Sequence, residues 1–505
     1  MHDAVDTVER PIDSGAVANV ADVELDLGIE VVRSRGAAVD LVDETVERPH
    51  PVALGEQLVG KMRTDEAGST RDQNTLGHVD LPPVGASTGR RSLAASFFIY
   101  PCTRSPTVRE MTSPRLRNLG FLWGAATSAH QVEGGDEASD WAAWERLPQT
   151  TCAEPAGAAC DHLNRYPDDI RLLADLGLNS YRFSVEWSRI EPEPGRFDDR
   201  WLAHYRQMCA TCREHGLLPI VTLHHFTNPA WVAEQGGWEA EATAQHFGRF
   251  AGCVLGVLGD LIGVLVTINE PNIVALLGYE EAVFPPGKRD RAARLHATET
   301  FIAAHRLAVA AAREQRPRLP VGLALAMADW QALPGGEAER DEWRRLREDV
   351  FLDATGDDDF VGVNTYTRHR IGPGGWIGTE EGVELTVMGY EFWPEAVGAT
   401  LRRAWDYTGG KTLIVTESGI GTDDDARRIA YIDRAVASMR AAIEDGLDVR
   451  GFLYWSALDN FEWHIGYSAR FGLIEVDRAT QERRLKPSAA RLGAIARTAA
   501  PPVRP

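Results

Sequence analysis

From residue 119 to about 490, short β-branched or aromatic runs alternate with longer stretches whose apolar residues recur every three or four positions. The first pattern predicts buried strands and the second amphipathic helices. Eight runs qualify: FLWGAATSA from 121, SYRFSVEW from 180, LPIVTLHH from 218, LIGVLVTINE from 261, VGLALAM from 321, DFVGVNTYT from 359, TLIVTESG from 412 and VRGFLYWSAL from 449. Between them YPDDIRLLADLG, WLAHYRQMCATCREHG, HATETFIAAHRLAVAAAREQ and DARRIAYIDRAVASMRAAIEDG carry helical period, and the last closes at Gly446 as a C-cap would. Eight buried strands alternating with helices predict an α/β fold, a single (β/α)8 TIM barrel with long loops. No G-x-G-x-x-G follows the first strand, which counts against the rival doubly wound sheet.

Ahead of this region the pattern dissolves. Residues 1–110 hold short valine-rich patches broken by PHP and LPPVGASTGRR, and none of the chain's 14 tryptophans. With 18 acidic against 11 basic residues, the segment is expected to stay solvated as a disordered N-terminal extension. The barrel domain is assigned to 111–505, and Met111, just before the first strand, reads as an alternative start.

Composition narrows the function. The 505 residues are 44% hydrophobic and 25% charged, enough to bury a large core, and the formal net charge of -21 opposes nucleic acid or an anionic membrane surface as partners. No apolar run approaches the roughly 20 residues that span a bilayer, and MHDAVDTVER carries acid where a secretory signal carries base. Six cysteines are too few for a disulfide scaffold in a chain this long, so a cytoplasmic location is expected. Cys209 and Cys212 form a C-x-x-C, but inside a helical pattern with no second ligand pair, and are read as helix thiols. No metal site and no cofactor is expected, since no metal-ligand cluster or phosphate loop appears.

In a parallel barrel the active site gathers where the strands end. Here those ends are polar: Gln131 beyond the first, His224 and His225 at the third, Asn269 and Glu270 at the fourth, Asn364 and Tyr366 at the sixth, Glu417 at the seventh, and Trp455, Asn460, Glu462 and Trp463 at and beyond the eighth. Two carboxyl groups among amides, a histidine and tryptophans suit a sugar: acids for a glycosidic bond, hydrogen-bond partners for hydroxyls, aromatic faces for its C–H side. Strand alternation sends His224 to the opposite side from His225 and marks it as structural.

At these residues the chain resembles glycoside hydrolase family 1, the β-glucosidase family, over about residues 119 to 490. FLWGAATSAHQVEG, YRFSVEWSRI, TINEP, DFVGVNTYT, IVTESG and WSALDNFEWHIGYSARFGL follow in the family's order. The resemblance implies a retaining β-glycosidase with Glu270 as general acid/base and Glu417 as nucleophile, the latter touched by Tyr366. It further implies that Asn269 binds the sugar 2-hydroxyl, that Gln131, His225, Glu462 and Trp463 hold other hydroxyls, and that Trp455 is the stacking platform. Arg182 is expected near the nucleophile, and Asn364 to support it through a further hydrogen bond.

Two positions depart from the family: Ser418 where Asn usually follows the nucleophile, and Phe226 where Trp usually follows His225. Phe226 supplies one N–H donor fewer, which argues against narrow glucose specificity. The short 327–359 segment predicts an open aglycone cleft. The expected substrate is a small β-glucoside, galactoside or fucoside without phosphate. A transglycosylase using an acceptor alcohol, or a sugar-binding protein without activity, are the alternatives, and the oligomeric state is not legible.

Overall fold

The structure, a computed structural model, describes residues 113–498. The extension assigned to 1–110, and Met111, lie outside the described residues. All eight predicted strands form: β1 (Leu122–Ala126), β2 (Ser180–Ser184), β3 (Leu218–His224), β4 (Val264–Asn269), β5 (Val321–Ala326), β6 (Phe360–Asn364), β7 (Leu413–Ser418) and β8 (Val449–Trp455). Each pairs in parallel with its neighbours in chain order, and β8 closes on β1. The fold is therefore the expected closed (β/α)8 barrel.

The strands are buried along almost their whole length because both faces are covered. Inside, Leu122, Ile220, Val266, Ala324, Phe360, Ile414 and Leu453 from seven strands pack together, and Leu116 plugs the N-terminal end. That plug is pinned to the barrel floor by Ser113 and Arg115, whose side chains donate to Asp359 at 2.6 and 2.9 Å.

Outside run the helices α1 (His162–Asp175), α2 (Asp199–Glu214), α3 (Ala242–Leu258), α4 (Pro271–Tyr279), α5 (Arg291–Gln315), α6 (Glu337–Arg344), α7 (Ala396–Thr408), α8 (Asp425–Glu444) and α9 (Pro487–Thr498). The predicted stop of α8 is real: Gly446 has φ 104°, and the Gly446 and Leu447 N–H groups return to the carbonyls of Ile443 and Ala442. Those two bonds are the Schellman closure that only a residue tolerant of positive φ allows.

The short segment after β5 does not leave the cleft open as expected. It forms a strand, Asp329–Ala332, which pairs with Arg368–Gly372, and that strand pairs in turn with Gly375–Trp376. This three-stranded sheet, with α6, builds a wall beside the barrel mouth.

Candidate active site

The polar strand ends meet in one cavity of about 280 Å³. His225, Glu270, Asn364, Tyr366, Glu417, Trp455, Glu462 and Trp463 line it. Parallel pairing explains why: every C-terminal strand end faces the same rim, so residues far apart in sequence become neighbours.

Glu270 directly follows β4 and precedes Pro271, the first residue of α4. Proline suits a first helical position, since its missing N–H has no intrahelical partner there. The turn places Glu270 at φ 44°, an uncommon left-handed conformation for a side chain of this size, held by a 2.8 Å bond from its N–H to the Ala324 carbonyl. Glu417 is the penultimate residue of β7 and pairs in register with Asn364 of β6. Gly419 lets this strand end pass the Trp455 carbonyl, which any Cβ there would strike.

The two carboxyl groups have different surroundings. Glu417 accepts from Arg182 Nη1 at 2.6 Å and from the Tyr366 hydroxyl at 2.7 Å. Glu270 accepts from Asn364 Nδ2 at 2.8 Å. Burial, then the negative charge of Glu417, push Glu270 up to about 8. Burial also raises Glu417, but Arg182 and the Tyr366 hydroxyl act against it. The fixed cation belongs to Glu417, so when the pair holds one negative charge, that charge sits there and the proton sits on Glu270. Burial and the neighbouring carboxylate raise Tyr366 well above its ordinary range, so its hydroxyl remains a donor.

Arg182, in the middle of β2, is fully buried, yet its donors are matched: Thr222 Oγ1 at 3.0 Å, the Thr416 carbonyl at 3.1 Å, Glu417, and Asn269 Oδ1 at 2.6 Å. A buried ion pair of this kind adds little to stability, but deleting one partner strands the other at a cost of about 3–5 kcal/mol. Asn364, expected to support the nucleophile, stands between the two acids: its Nδ2 also reaches Asn269 Oδ1 at 3.0 Å, and its Oδ1 accepts from Thr416 at 2.6 Å.

These bonds settle one tautomer. Asn269 Oδ1 accepts from both Arg182 and Asn364, so its Nδ2 must be the atom facing the His225 ring at 3.2 Å. The ring nitrogen that meets it accepts, and the other carries the proton. That other nitrogen, Nδ1, has no protein partner. Burial, helped by Arg182, lowers His225 well below its ordinary range, so the ring is neutral and offers one N–H. His225 stacks between Trp455 (5.7 Å, 19°) and Trp463 (6.2 Å, 16°), forming a flat aromatic wall. His224 points away, bonded to Asn228 at 3.0 Å among Trp238, Phe247 and Phe301.

Gln131 and Asn269, expected to touch a sugar, are fully covered, with their amides engaged by protein groups. Gln131 donates to the Phe461 carbonyl at 2.7 Å and to Glu462 at 3.3 Å. A sugar hydroxyl must compete for either amide. Glu462 accepts from Asn460 at 3.2 Å and is pushed up to about 8 by burial, with Glu417 adding to the shift and Asn460 opposing it. Phe226 packs on Trp463 at 4.8 Å and lines the cavity with an apolar face.

The structure also adds residues that sequence reasoning did not single out. His130 lies parallel to Trp463 at 5.8 Å and 4°. Burial opposes its charge, but Asp136 and Glu145 outweigh burial and push it up to about 10, so a fixed cation backs the tryptophan. Ser418 bonds Tyr431 of α8 at 3.0 Å, and the same Tyr431 hydroxyl donates to the Tyr366 carbonyl at 3.4 Å. The departure at Ser418 thus braces the residue that touches Glu417. Tyr431→Phe is expected to lower kcat roughly fivefold, equivalent to about 1 kcal/mol for one hydrogen bond, with KM little changed. Unchanged steady-state kinetics would show that the brace has no role.

Comparison with known proteins agrees with this geometry. The sequence profile of Glycosyl hydrolase family 1 matches residues 115–355 and 348–500. Beta-glucosidase A of Thermotoga maritima is 31% identical over 425 residues, 73% of this chain and 95% of that protein. A bifunctional beta-D-glucosidase/beta-D-fucosidase of Bifidobacterium breve is 33% identical, covering 73% of this chain and 95% of its own. The crystal structure of the beta-glycosidase BGL167 superposes with a TM-score of 0.71 at 45% identity, covering 75% of this chain and 96% of that one. With the profile spanning the whole barrel and both acids in place at its rim, the chain belongs to glycosyl hydrolase family 1 and is an O-glycosyl hydrolase of the β-glucosidase type.

Proposed function

We propose that the protein is a retaining β-glycosidase that releases an unphosphorylated glucosyl, galactosyl or fucosyl residue from small β-glycosides through a covalent glycosyl-enzyme. One observation carries the reading: two buried carboxyl groups in one cavity, of which only Glu417 has a fixed cation, so that the pair is poised as one acid and one nucleophile.

Glu417 attacks the anomeric carbon while Glu270 protonates the departing oxygen. Glu270, now a carboxylate, then takes a proton from the water that attacks the intermediate. The Tyr366 hydroxyl and Arg182 orient Glu417. His225, Glu462 and Trp463, which line the cavity, hold sugar hydroxyls. Asn269 receives the 2-hydroxyl by giving up its long 3.2 Å contact with His225. The bifunctional beta-D-glucosidase/beta-D-fucosidase character of the Bifidobacterium breve relative, together with the apolar face of Phe226, supports a broad choice of glycone. Five free thiols among the described residues suit the reducing cytoplasm that we propose as its location.

The test is a panel of aryl β-D-glucoside, galactoside and fucoside, followed by proton NMR to see which anomer forms first. The β-anomer is expected, and the α-anomer appearing first would overturn the mechanism. The pH profile gives a second check. Activity requires protonated Glu270, so kcat/KM should fall as pH rises through about 8. Because the Glu417 charge helps hold that proton, Glu417→Gln should lower the Glu270 pKa, read by difference infrared spectroscopy. An alkaline limb in the ordinary carboxylate range of about 4 to 5 would contradict the assignment.

A further inference from the structure

Behind the sugar side of the cavity lies a buried chain of polar side chains that the mechanism does not use. It runs from His130 through Asp136, Ser188 and Glu186 to Thr227, and none of these side chains lines the cavity. Each end of the chain meets a residue that does. At one end His130 lies parallel to Trp463. Both ring nitrogens of His130 face carboxylates, Asp136 Oδ2 at 3.2 Å and Glu145 Oε1 at 2.7 Å, so the ring donates twice and is an imidazolium. At the other end Thr227 follows His225 and Phe226, just beyond β3. Its N–H donates to the His225 carbonyl at 3.0 Å and its hydroxyl to Glu186 Oε2 at 2.8 Å. Between them Phe226 sits at φ 74°, a left-handed conformation that a bulky side chain keeps only when its surroundings hold it.

We propose that Glu186 is a positioning residue for the sugar side of the cavity: in its protonated form it ties the turn carrying His225 and Phe226 to the imidazolium that backs Trp463. The proposal rests on the β-glycosidase reading and adds to it a residue that touches no substrate.

The proton follows from the geometry around Ser188. Its Oγ lies 2.9 Å from Asp136 Oδ1 and 2.9 Å from Glu186 Oε1. One hydroxyl proton serves one carboxylate, so the second contact is a hydrogen bond only when that carboxyl brings a proton of its own. Asp136 keeps its charge, because its other oxygen faces the imidazolium. Glu186 therefore holds the proton and donates to Ser188, which donates to Asp136. Burial, and then the charge of Asp136, push Glu186 up to about 8, with His130 and the Thr227 and Ser188 bonds opposing them. The remaining groups nearby are engaged: Arg189 pairs with Glu133 at 3.1 Å, and the Tyr205 hydroxyl of α2 accepts the Glu186 N–H at 3.1 Å. As pH rises through about 8 the proton leaves, two carboxylates face one hydroxyl, and the chain parts at Ser188. The turn is also held by Asp140, which accepts from the Asn228 N–H at 2.9 Å and from Nδ2 at 2.8 Å, so loss of Glu186 loosens the wall without dismantling it.

The experiment measures KM for an aryl β-glucoside and, independently of turnover, the Kd of glucose by tryptophan fluorescence. Glu186→Ala and Thr227→Val should raise both about fivefold, the weight of one hydrogen bond, with kcat changed less than about twofold because the wall holds sugar in the ground and transition states alike. Glu186→Gln has the shape and neutrality of the protonated acid and should restore both constants. The ratio of glucose Kd in the unmodified protein to that in Glu186→Gln should be about one near pH 6 and rise toward about fivefold near pH 9, and the ratio cancels the ionisation of Glu270 and Glu462, which the two proteins share. Glu186→Gln as impaired as Glu186→Ala near pH 6, a ratio that stays flat, or variants that melt earlier yet bind glucose as before would overturn the proposal. Should Glu186→Ala fail to fold, Thr227→Val and the pH ratio decide. If no β-glycoside turns over while glucose binding still follows Glu186 in this way, the glycosidase reading fails and the positioning role stands.

Discussion

Glu417→Gly should abolish hydrolysis, and azide should restore part of it with inversion, giving the α-glycosyl azide. The side chain leaves a buried space on the face from which the anomeric carbon is attacked, and a small anion can enter it beside Arg182. Glu270→Ala should behave differently. An activated aryl glycoside still loads Glu417, but the intermediate lacks a base for water, and the loss is about 10²- to 10⁴-fold for other leaving groups. Azide then attacks the glycosyl-enzyme from the opposite face, and the product is the β-glycosyl azide. The stereochemistry of the two azides, read by proton NMR, separates the roles of the two acids. Wild-type rates in either variant, or the same azide anomer from both, would sink the assignment.

The barrel was legible because its signal is periodic and repeats eight times, and because parallel pairing converts "end of strand" into "rim of cavity". Glu270 and Glu417 could be found that way, since TINEP and IVTESG each place an acid where a buried apolar run ends. The wall beside the barrel mouth was not legible in the same way. Trp330 lies just beyond β5 in ALAMADW, and its position past a strand end was the one available signal. Trp343 sits in the charged helix segment DEWRR and reads as a surface residue, but folding turns it inward to 9% exposed. The short segment was read as a gap, whereas pairing between Asp329–Ala332 and Arg368–Gly372, far apart in sequence, made it a wall. Tyr431 was hidden for the opposite reason. In a helix that buries one face, a tyrosine at core spacing looks like packing, and only the fold reveals that its hydroxyl reaches Ser418.

The glycone side should also reject a phosphate at the sugar's 6-position, by about a thousandfold in kcat/KM relative to the unphosphorylated glucoside once Glu462 is ionised. Two like charges 4 Å apart at an effective dielectric near 20 repel by about 4 kcal/mol, and Glu417 and Glu462 both face this cavity. The cations near them are already committed: Arg182 is bonded to Glu417, His130 is held by Asp136 and Glu145, Arg347 lies over Trp343, and Arg470 is exposed and pairs with Asp423 at 3.4 Å. The sign of the pH dependence follows from Glu462. Burial holds it up to about 8, so below that pH it is largely neutral and repels a phosphate less; as pH rises through 8 it ionises and repels more. The phosphate itself gains its second charge near pH 6. The ratio of kcat/KM for the parent glucoside over the 6-phosphoglucoside should therefore grow between about pH 6 and 8, and taking the ratio cancels the ionisation of Glu270, which affects both substrates alike. Glu462→Gln should flatten the upper part of that rise without making the phosphorylated sugar a good substrate, because no positive group is gained. Comparable kcat/KM for the two sugars in the unmodified protein would show that Glu462 does not serve a neutral glycone.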